Sequence, residues 1–361
     1  MPYLKRRKGL IFLFFIGPLT CNGNSNLGLP IGEPPRENVV ELGRQLFFDR
    51  RLSVNNTLSC GMCHIPEQGF TQNDLRTPVG IEGQSLRRNS PSLLNVSHRP
   101  LLFQDGREFS LANQVWSPLL SEAEMGNLSI GMVIKRIEGM DDYANKFKAT
   151  LGEIDVITIG KALAAYQQSL HSGNSPFDRW FFLEDTSAVS NNVKNGFQIF
   201  KRKGCINCHQ IKEDWSLFSD QKFHNTGIGY ERSMSLKPSH RNLKLTNTIT
   251  IQTDINFKSE VKGDLGRYEV TGDPKDRWKY RTAGLRNVAL TSPYMHDGSL
   301  PTLNSVLKFY SEGGVSNPGL DPLMKPFKLS DRETRDLIEF LNSLTSSNIK
   351  EIINSARKDF R

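Results

Sequence analysis

Two pentapeptides combine thiols and an imidazole at a spacing that can hold a redox cofactor. In each, two cysteines separated by two residues are followed at once by a histidine, at Cys60, Cys63 and His64 and again at Cys205, Cys208 and His209. In a C-x-x-C-H segment the thiols form thioether bonds to the vinyl groups of haem and the histidine binds the iron. A dithiol redox pair or half of a zinc site also uses two close cysteines, but neither needs the adjacent histidine. The two motifs therefore predict two covalently bound haem c groups.

The fifth cysteine, Cys21, follows a basic and then an apolar segment. Basic residues 5–8 and the apolar run over residues 9–19 have the layout of a secretory signal, and the run is too short for a permanent transmembrane helix. We predict a signal peptide over residues 1–21, a linker over residues 22–36 and export to the periplasm. Cys21 is either the acylated first residue of a lipoprotein, which would be the only membrane attachment, or a thiol near an ordinary cleavage site.

The charge of the chain does not indicate a nucleic-acid partner. The 361 residues carry a formal net charge of +8, from 46 Lys and Arg against 38 Asp and Glu. Removal of the predicted signal leaves 42 basic residues, so the mature chain is nearly balanced. A hydrophobic content of 37%, with 29 Gly and 18 Pro, is typical of a globular protein and not of a disordered or polytopic membrane protein.

The segments around the motifs predict a mainly α fold. Apolar residues recur at helical spacing over residues 39–47, 159–170 and 303–310. Ser330 and Glu333 form a capping box before a further amphipathic segment. Strand-like alternation is found mostly over residues 246–257.

Each half of the chain holds one of the motifs. Residues 43–48 precede the first motif and residues 196–201 precede the second, and the two segments form a weak internal repeat. We therefore predict two cytochrome c-like domains, each with one covalent c-type haem, over residues 37–180 and 181–361.

Several further segments resemble the bacterial di-haem cytochrome c peroxidase family, and within it the MauG-like branch. The resemblance covers nearly all of residues 37–345. It rests on residues 46–53, 88–95, 105–107 and 114–125 in the first half and on residues 223–227, 264–267, 285–290 and 293–298 in the second. It implies that the first domain holds an open, peroxidatic haem and that the second holds a six-coordinate, electron-transfer haem.

The resemblance also implies a pocket in which peroxide is split. The family's Gln, Pro and Glu are matched by Gln114, Pro118 and Glu124. A partly desolvated carboxyl such as Glu124 can move a proton from the inner to the outer peroxide oxygen. Gln114 can donate or accept a hydrogen bond without adding charge, and Pro118 has no donor that would hold water. Taken singly, Glu124 and Gln114 could also be ordinary helix-surface side chains.

The outer ligand of the second haem decides the branch. Ordinary peroxidases of this family have a Met fourteen residues after the His that matches His296, and this chain has Tyr310 there. Met295 and Met324 flank the region, but neither matches the family position. A thioether favours ferrous iron, whereas a phenolate favours ferric and higher states, so Tyr310 suits a haem that stores an oxidising equivalent. Tyr310 could instead be a core aromatic of its helix.

Two absences distinguish this chain from other members of the resembled family. Residues 65–89 contain no histidine that could block the first haem, so we predict that this haem is permanently accessible. Family members usually have a Trp relay before the Asp-Gly-Arg segment, and this chain has Gln104, which cannot be oxidised into a hopping intermediate. Trp116 is near Gln104 in sequence, but the sequence does not place it between the haems.

The resemblance further implies one calcium ion between the haems. Its ligands would be the Asn89 side chain and the carbonyls of Thr291 and Pro293, and oxygen-only ligation suits a hard cation. Asn89 could equally be a turn residue before Ser90 and Pro91.

Three functions are consistent with these residues. The first is a MauG-like oxidase that uses hydrogen peroxide to oxidise a periplasmic partner protein. The second is a plain cytochrome c peroxidase that takes electrons from a small redox protein. The third is a non-catalytic electron-transfer cytochrome, which needs no proton-transfer set such as Gln114, Pro118 and Glu124. Tyr310 in place of Met favours the first over the second.

Overall fold

The computed structural model describes residues 25–234, 241–244, 250–253 and 263–358, and these are mostly helical. The helices are α1 (Glu37–Phe48), α2 (Cys60–Cys63), α3 (Leu111–Gln114), α4 (Trp116–Leu120), α5 (Ile130–Glu138), α6 (Asp141–Thr150), α7 (Val156–Gln168), α8 (Pro176–Phe182), α9 (Asn191–Arg202), α10 (Ile228–Met234), α11 (Tyr268–Thr271), α12 (Leu303–Ser311), α13 (Asp331–Asn342) and α14 (Ile349–Ala356). The mainly α prediction is confirmed.

The strands are short and form two antiparallel pairs. They are β1 (Phe223–His224), β2 (Arg241–Lys244), β3 (Thr250–Thr253) and β4 (Tyr280–Arg281). β1 pairs with β4 and places Phe223 opposite Arg281. β2 pairs with β3, which lies inside the segment of predicted strand-like alternation.

Side-chain caps set the start of the long helices. The Asp155 carboxylate accepts from the backbone N–H of Thr158 at the start of α7, and the Thr158 hydroxyl accepts from the backbone N–H of Asp155. The predicted capping box at Ser330 and Glu333 begins α13 in the same reciprocal way. These caps satisfy backbone N–H groups that have no partner inside the helix.

Two hydrophobic clusters form the interior of the described chain. The first contains fully buried Leu46, Phe147 and Ile159 from α1, α6 and α7. The second is aromatic and contains Phe177 and Phe340 from α8 and α13. The last helix, α14, packs against the first cluster, so the chain returns to its first half at its end. The domain boundary at residues 180 and 181 stays a prediction.

A glycine marks the main helix crossing in each cluster. Gly43 of α1 faces the carbonyl of Ala162 in α7, and Gly196 of α9 faces the carbonyl of Asp336 in α13. A Cβ atom at either glycine would overlap that carbonyl, so both crossings need the missing side chain. These glycines begin the two segments of the weak sequence repeat.

The predicted signal peptide and Cys21 lie outside the described residues. Within the described part of the chain, no helix is both long and apolar enough to cross a bilayer.

Candidate functional site

The two C-x-x-C-H segments fold into the same single turn. The backbone N–H of His64 donates to the carbonyl of Cys60 at 2.9 Å, and that of His209 donates to Cys205 at 2.9 Å. In the first segment the turn is α2, and Gly61 packs so closely on the Phe48 ring that a Cβ would overlap it. The turn holds both thiols and the imidazole of each segment together, as attachment of one haem requires.

Both histidines are held in the orientation of a metal-binding imidazole. His64 Nδ1 lies 3.0 Å from the carbonyl oxygen of Phe70, and His209 Nδ1 lies 2.9 Å from that of Phe218. A carbonyl can only accept, so Nδ1 carries the proton and Nε2 keeps its lone pair for a metal. Burial lowers the pKa of His64 to about 4 and lowers that of His209, so both rings are neutral at pH 7.

Sequence reasoning missed the two phenylalanines that orient the histidines. Phe70 and Phe218 are fully buried and have positive φ angles of 57° and 52°. The hydroxyl that follows each one fixes the turn, because Thr71 donates to the Ser90 carbonyl and Ser219 donates to the Thr282 carbonyl. The only shared signal is Phe followed by Thr or Ser, at different distances from the two histidines.

The cysteines of both motifs are free thiols. None of the four cysteines in the described residues is in a disulfide. Burial raises the pKa of Cys60 to about 12 and those of Cys63 and Cys205 to about 11. Half-buried thiols with a raised pKa, such as these three, fit the attachment of haem better than a reactive dithiol pair, which needs a lowered pKa.

A zinc site does not fit the second motif. The one group of three potential metal ligands among the described residues is Cys208, Asp220 and His224. His224 contacts Asp321 through Nδ1 at 2.6 Å and Asp220 through Nε2 at 2.9 Å. Both ring nitrogens thus face carboxylates and leave no lone pair for zinc.

The second motif opens into a large cavity that also contains Tyr310. The cavity is partly open to solvent, and its walls include Cys205, Cys208 and His209. Burial, together with the charges of both thiols, raises the pKa of Tyr310, which places the phenol close to the two sulfurs. Met324 also lines this cavity, so a phenol and a thioether face the same space.

The predicted peroxide-splitting residues lie on one short stretch of chain beside the first motif. Gln114 ends α3 and Pro118 lies in α4. The carbonyl of Pro118 accepts from Met125 at 3.2 Å, and the carbonyl of Glu124 accepts from Ile81 at 3.0 Å, so two bonds fix the loop around Glu124.

The carboxyl group of Glu124 is electrostatically coupled to the first motif. Its negative charge raises the pKa of Cys63, after the larger effect of burial. Burial in turn raises the pKa of Glu124, partly offset by the positive charge of Arg107. The carboxyl can therefore exchange a proton closer to neutral pH than an ordinary glutamate.

Gln104 lies at the junction of the two halves. It lines the cavity of the second motif, and its carbonyl accepts from the backbone N–H of Arg281 in β4 at 2.9 Å. Trp116 packs in the first hydrophobic cluster instead. Tyr280, next to Arg281, stacks on His296 with ring centroids 3.5 Å apart.

The proposed calcium ligands also meet in this region. Asn89, Thr291 and Pro293 line the same cavity. The Asn89 amide nitrogen donates to the Pro293 carbonyl at 2.6 Å, while its buried Oδ1 has no hydrogen-bond partner. A buried amide oxygen without a partner, in a cavity that Thr291 and Pro293 also line, fits a hard cation.

Comparison with known proteins gives one family. A family described as di-haem cytochrome c peroxidase matches residues 37–187. The methylamine utilization protein MauG of Methylorubrum extorquens is 36% identical over 321 residues, which is 87% of this chain and 80% of that protein. The cytochrome-c peroxidase IdrP2 of Denitromonas iodatirespirans is 32% identical over 348 residues, 95% of this chain and 92% of that protein.

A solved structure shares the fold over nearly the whole chain. It is the crystal structure of a MauG-like protein associated with microbial copper homeostasis. It is 29% identical, covers 93% of this chain and 99% of its own, and superposes with a TM-score of 0.71.

Proposed function

Because the chain belongs to the di-haem cytochrome c peroxidase family, we propose that it is a MauG-like oxidase that uses hydrogen peroxide to oxidise a partner protein. The family acts on hydrogen peroxide together with a partner protein or an electron donor, and this chain is an oxidoreductase of that kind. In addition, the first half would react with peroxide, and the second half would hold an oxidising equivalent for transfer to a partner protein.

The residues that would hold the cofactors are those of the two motifs. Cys60, Cys63 and His64 would hold an open first haem, and the second would be held by the residues Cys205, Cys208, His209 and Tyr310. Iron bound in this way supplies the exchange of electrons with peroxide. The chain supplies the neutral Nε2 atoms, the thiols and the proton-transfer groups.

Glu124 is the proton-transfer residue in this proposal. In its ionised form it accepts the proton from the inner oxygen of hydrogen peroxide, and it returns that proton to the outer oxygen, which leaves as water. The Gln114 side chain makes no hydrogen bond to another described residue, so its amide remains available to orient the peroxide. Pro118 has no N–H and so does not compete for it.

One observation carries the MauG-like assignment: Tyr310 faces the cavity of the second motif, close to both of its cysteines. A phenolate ligand to the iron bound by His209 would stabilise ferric iron. It would disfavour the ferrous state, which a haem needs if it is to donate electrons to peroxide. The second haem would then hold an oxidising equivalent until a partner protein arrives.

A plain cytochrome c peroxidase is the second candidate. Met324 lines the same cavity, and a thioether from Met324 would favour ferrous iron. Relatives that are named cytochrome-c peroxidase are about as similar to this chain as those named MauG. In this case a small redox protein would be the electron donor.

The proposal includes one calcium ion and a periplasmic location. Asn89 from the first half and the carbonyls of Thr291 and Pro293 from the second would bind the ion, supported by the unpartnered Asn89 oxygen. The predicted signal peptide supports export. The protein would be anchored by lipid if Cys21 is acylated, and it would be free in the periplasm if it is not.

Addition of stoichiometric peroxide to the purified, haem-loaded protein separates these functions. In the absence of a donor, a MauG-like oxidase keeps its peroxide-oxidised absorption spectrum and loses it when the partner protein is added. A plain peroxidase instead oxidises a reduced small cytochrome c rapidly and over many cycles. Rapid cytochrome turnover with no persistent oxidised spectrum would contradict the MauG-like proposal.

A further inference from the structure

Two arginines, the half-buried Arg99 and the buried Arg281, line the cavity of the second motif without a carboxylate partner among the described residues. Arg99 and Arg281 both line this cavity, and Arg281 is only 8% exposed. Arg99 donates to the Ser92 carbonyl at 3.1 Å, and Arg281 donates to the Leu101 carbonyl at 2.7 Å. A guanidinium has five N–H donors, so most of the donors of each remain unused.

Other buried arginines of this protein are paired with acids. Arg286 bonds Asp178 through two nitrogens at 2.7 and 2.8 Å, and Arg88 bonds Asp264 in the same bidentate way. A buried, unpaired charge is costly, which is why such pairs are the rule.

Within the described chain, no carboxylate lies at ion-pair distance from Arg99 or Arg281. The negative charge of Asp105 raises the pKa of Arg281. The Asp105 carboxylate is already paired, with Arg88 at 2.5 Å and with Arg107 at 3.0 Å. Burial lowers the pKa of Arg99 to about 10 and that of Arg281 to about 9, and the charge of Arg99 adds to the effect on Arg281. The two cations therefore lie close together and lack an anion.

Each of the two arginines lies near one of the proximal histidines. The charge of Arg99 contributes to the low pKa of His64, which places Arg99 near the first motif. Arg281 lies two residues before Ala283, and both line the same cavity as His209.

We propose that Arg99 and Arg281 bind the propionate carboxylates of the haems, so that the missing anions are supplied by the cofactors. Every haem c carries two propionates, and a guanidinium matches a carboxylate in a planar, bidentate geometry. This inference rests on the proposed function, because it requires that the motifs hold haem. The two arginines would then fix the haem planes and keep the propionates ionised inside the protein.

The test uses the haem-loaded protein and single substitutions. Arg281→Gln and Arg99→Gln remove one cation each, Arg281→Lys and Arg99→Lys keep the charge, and Arg332→Gln on the exposed surface of α13 is the matched control. Reduction potentials of both haems are measured by spectroelectrochemistry. Ferric iron carries one more positive charge than ferrous iron, so removal of a nearby cation stabilises the ferric state relative to the ferrous state. Each Gln variant should therefore lower the potential of at least one haem.

The Lys variants should recover most of that potential, and Arg332→Gln should leave it unchanged. Unchanged potentials in both Gln variants, at full haem content, would overturn the proposal. If a Gln variant does not fold, a crystal structure of the unsubstituted, haem-loaded protein decides. Propionate oxygens at hydrogen-bond distance from both guanidinium groups support the proposal, whereas propionates directed elsewhere, or a free anion between the arginines, refute it.

These outcomes are separate from a failure of the proposed function. If the unsubstituted protein attaches haem but does not react with peroxide, the proposed function fails while the potentials still test the arginines. If it attaches no haem, both fail.

Discussion

At the scale of single residues, the chemistry depends on buried groups whose protonation is set by their surroundings. His64 is neutral because it is buried, and its Nδ1 proton is directed to one carbonyl. Burial shifts the pKa of Glu124 in the other direction, upwards, which favours the protonated and likewise uncharged form. The first haem site would therefore combine a metal ligand that needs no deprotonation with a carboxyl that can exchange a proton.

Replacement of Glu124 tests this role. Glu124→Gln keeps the shape and removes the acid, so the rate of the reaction with peroxide should fall by about 100- to 10,000-fold in stopped-flow absorbance. Glu122→Gln, at an exposed neighbouring position, is the matched control and should react at the normal rate. Equal rates in both variants would exclude Glu124 from proton transfer.

The pH dependence of the same reaction has a defined sign. Glu124 must be ionised to accept the first proton, so the rate should fall as the pH drops through its pKa. Burial raises that pKa above the usual glutamate value of 4.5, so the fall should begin at a higher pH than for an exposed carboxyl. In Glu124→Gln this limb of the pH profile should disappear, and its persistence would assign it to another group.

Tyr310 and Met324 can be separated by two conservative substitutions. Tyr310→Phe removes only the phenol oxygen, and Met324→Leu removes only the thioether. If Tyr310 is the ligand, the first substitution should change the low-spin ferric signal of the second haem and raise its potential, and the second should change neither. The reverse pattern, read by electron paramagnetic resonance, would favour the plain peroxidase.

At the scale of elements, the two main helix crossings depend on glycine. Gly43→Ala and Gly196→Ala would each push a methyl group into the carbonyl of the facing helix, at Ala162 and Asp336. Such overpacking should lower the free energy of unfolding by about 1–3 kcal/mol, measured by chemical denaturation. Gly131→Ala in α5 is the control, because only the Ser129 hydroxyl comes within 4 Å of the added Cβ. Equal stability of all three variants would contradict this account of the crossings.

The helices could be predicted from the sequence because their signals are local. Periodicity and the Ser330 cap mark α13, and the apolar spacing marks α1 and α7. The turns at Phe70 and Phe218 could not be predicted, because a positive φ at a bulky residue is imposed by tertiary contacts. The haem-ligand chemistry was therefore predictable from the motifs, whereas the carbonyls that orient the ligands were not.

At the scale of the whole molecule, the weak sequence repeat extends far beyond its opening segments. Asn95 and Asn287 both have left-handed backbones, with φ of 58° and 60°, and each precedes a short 3-10 turn. Gly106 and Gly298 close matching turns with φ of 72° and 65°. Counting back two residues from each glycine pairs Gln104 with His296. The residue in place of the family's Trp is thus matched by the histidine that stacks on Tyr280.

The proposed calcium ion would join the two halves, because Asn89 lies in the first and Pro293 in the second. Removal of the ion with a chelator should lower the thermal midpoint, since a ligand that binds only the folded state stabilises it. Asn89→Ala should have a lower midpoint from the start and should no longer respond to the chelator. A midpoint that is insensitive to chelator and to added calcium would show that Asn89 is a turn residue.

We propose an open first haem and a second haem held by His209 and Tyr310. Electron paramagnetic resonance of the haem-loaded, oxidised protein during a reductive titration tests it most directly. We expect one high-spin and one low-spin ferric signal, with the low-spin signal persisting at potentials that reduce a methionine-ligated haem. Two low-spin signals, or a low-spin signal lost early in the titration, would contradict it.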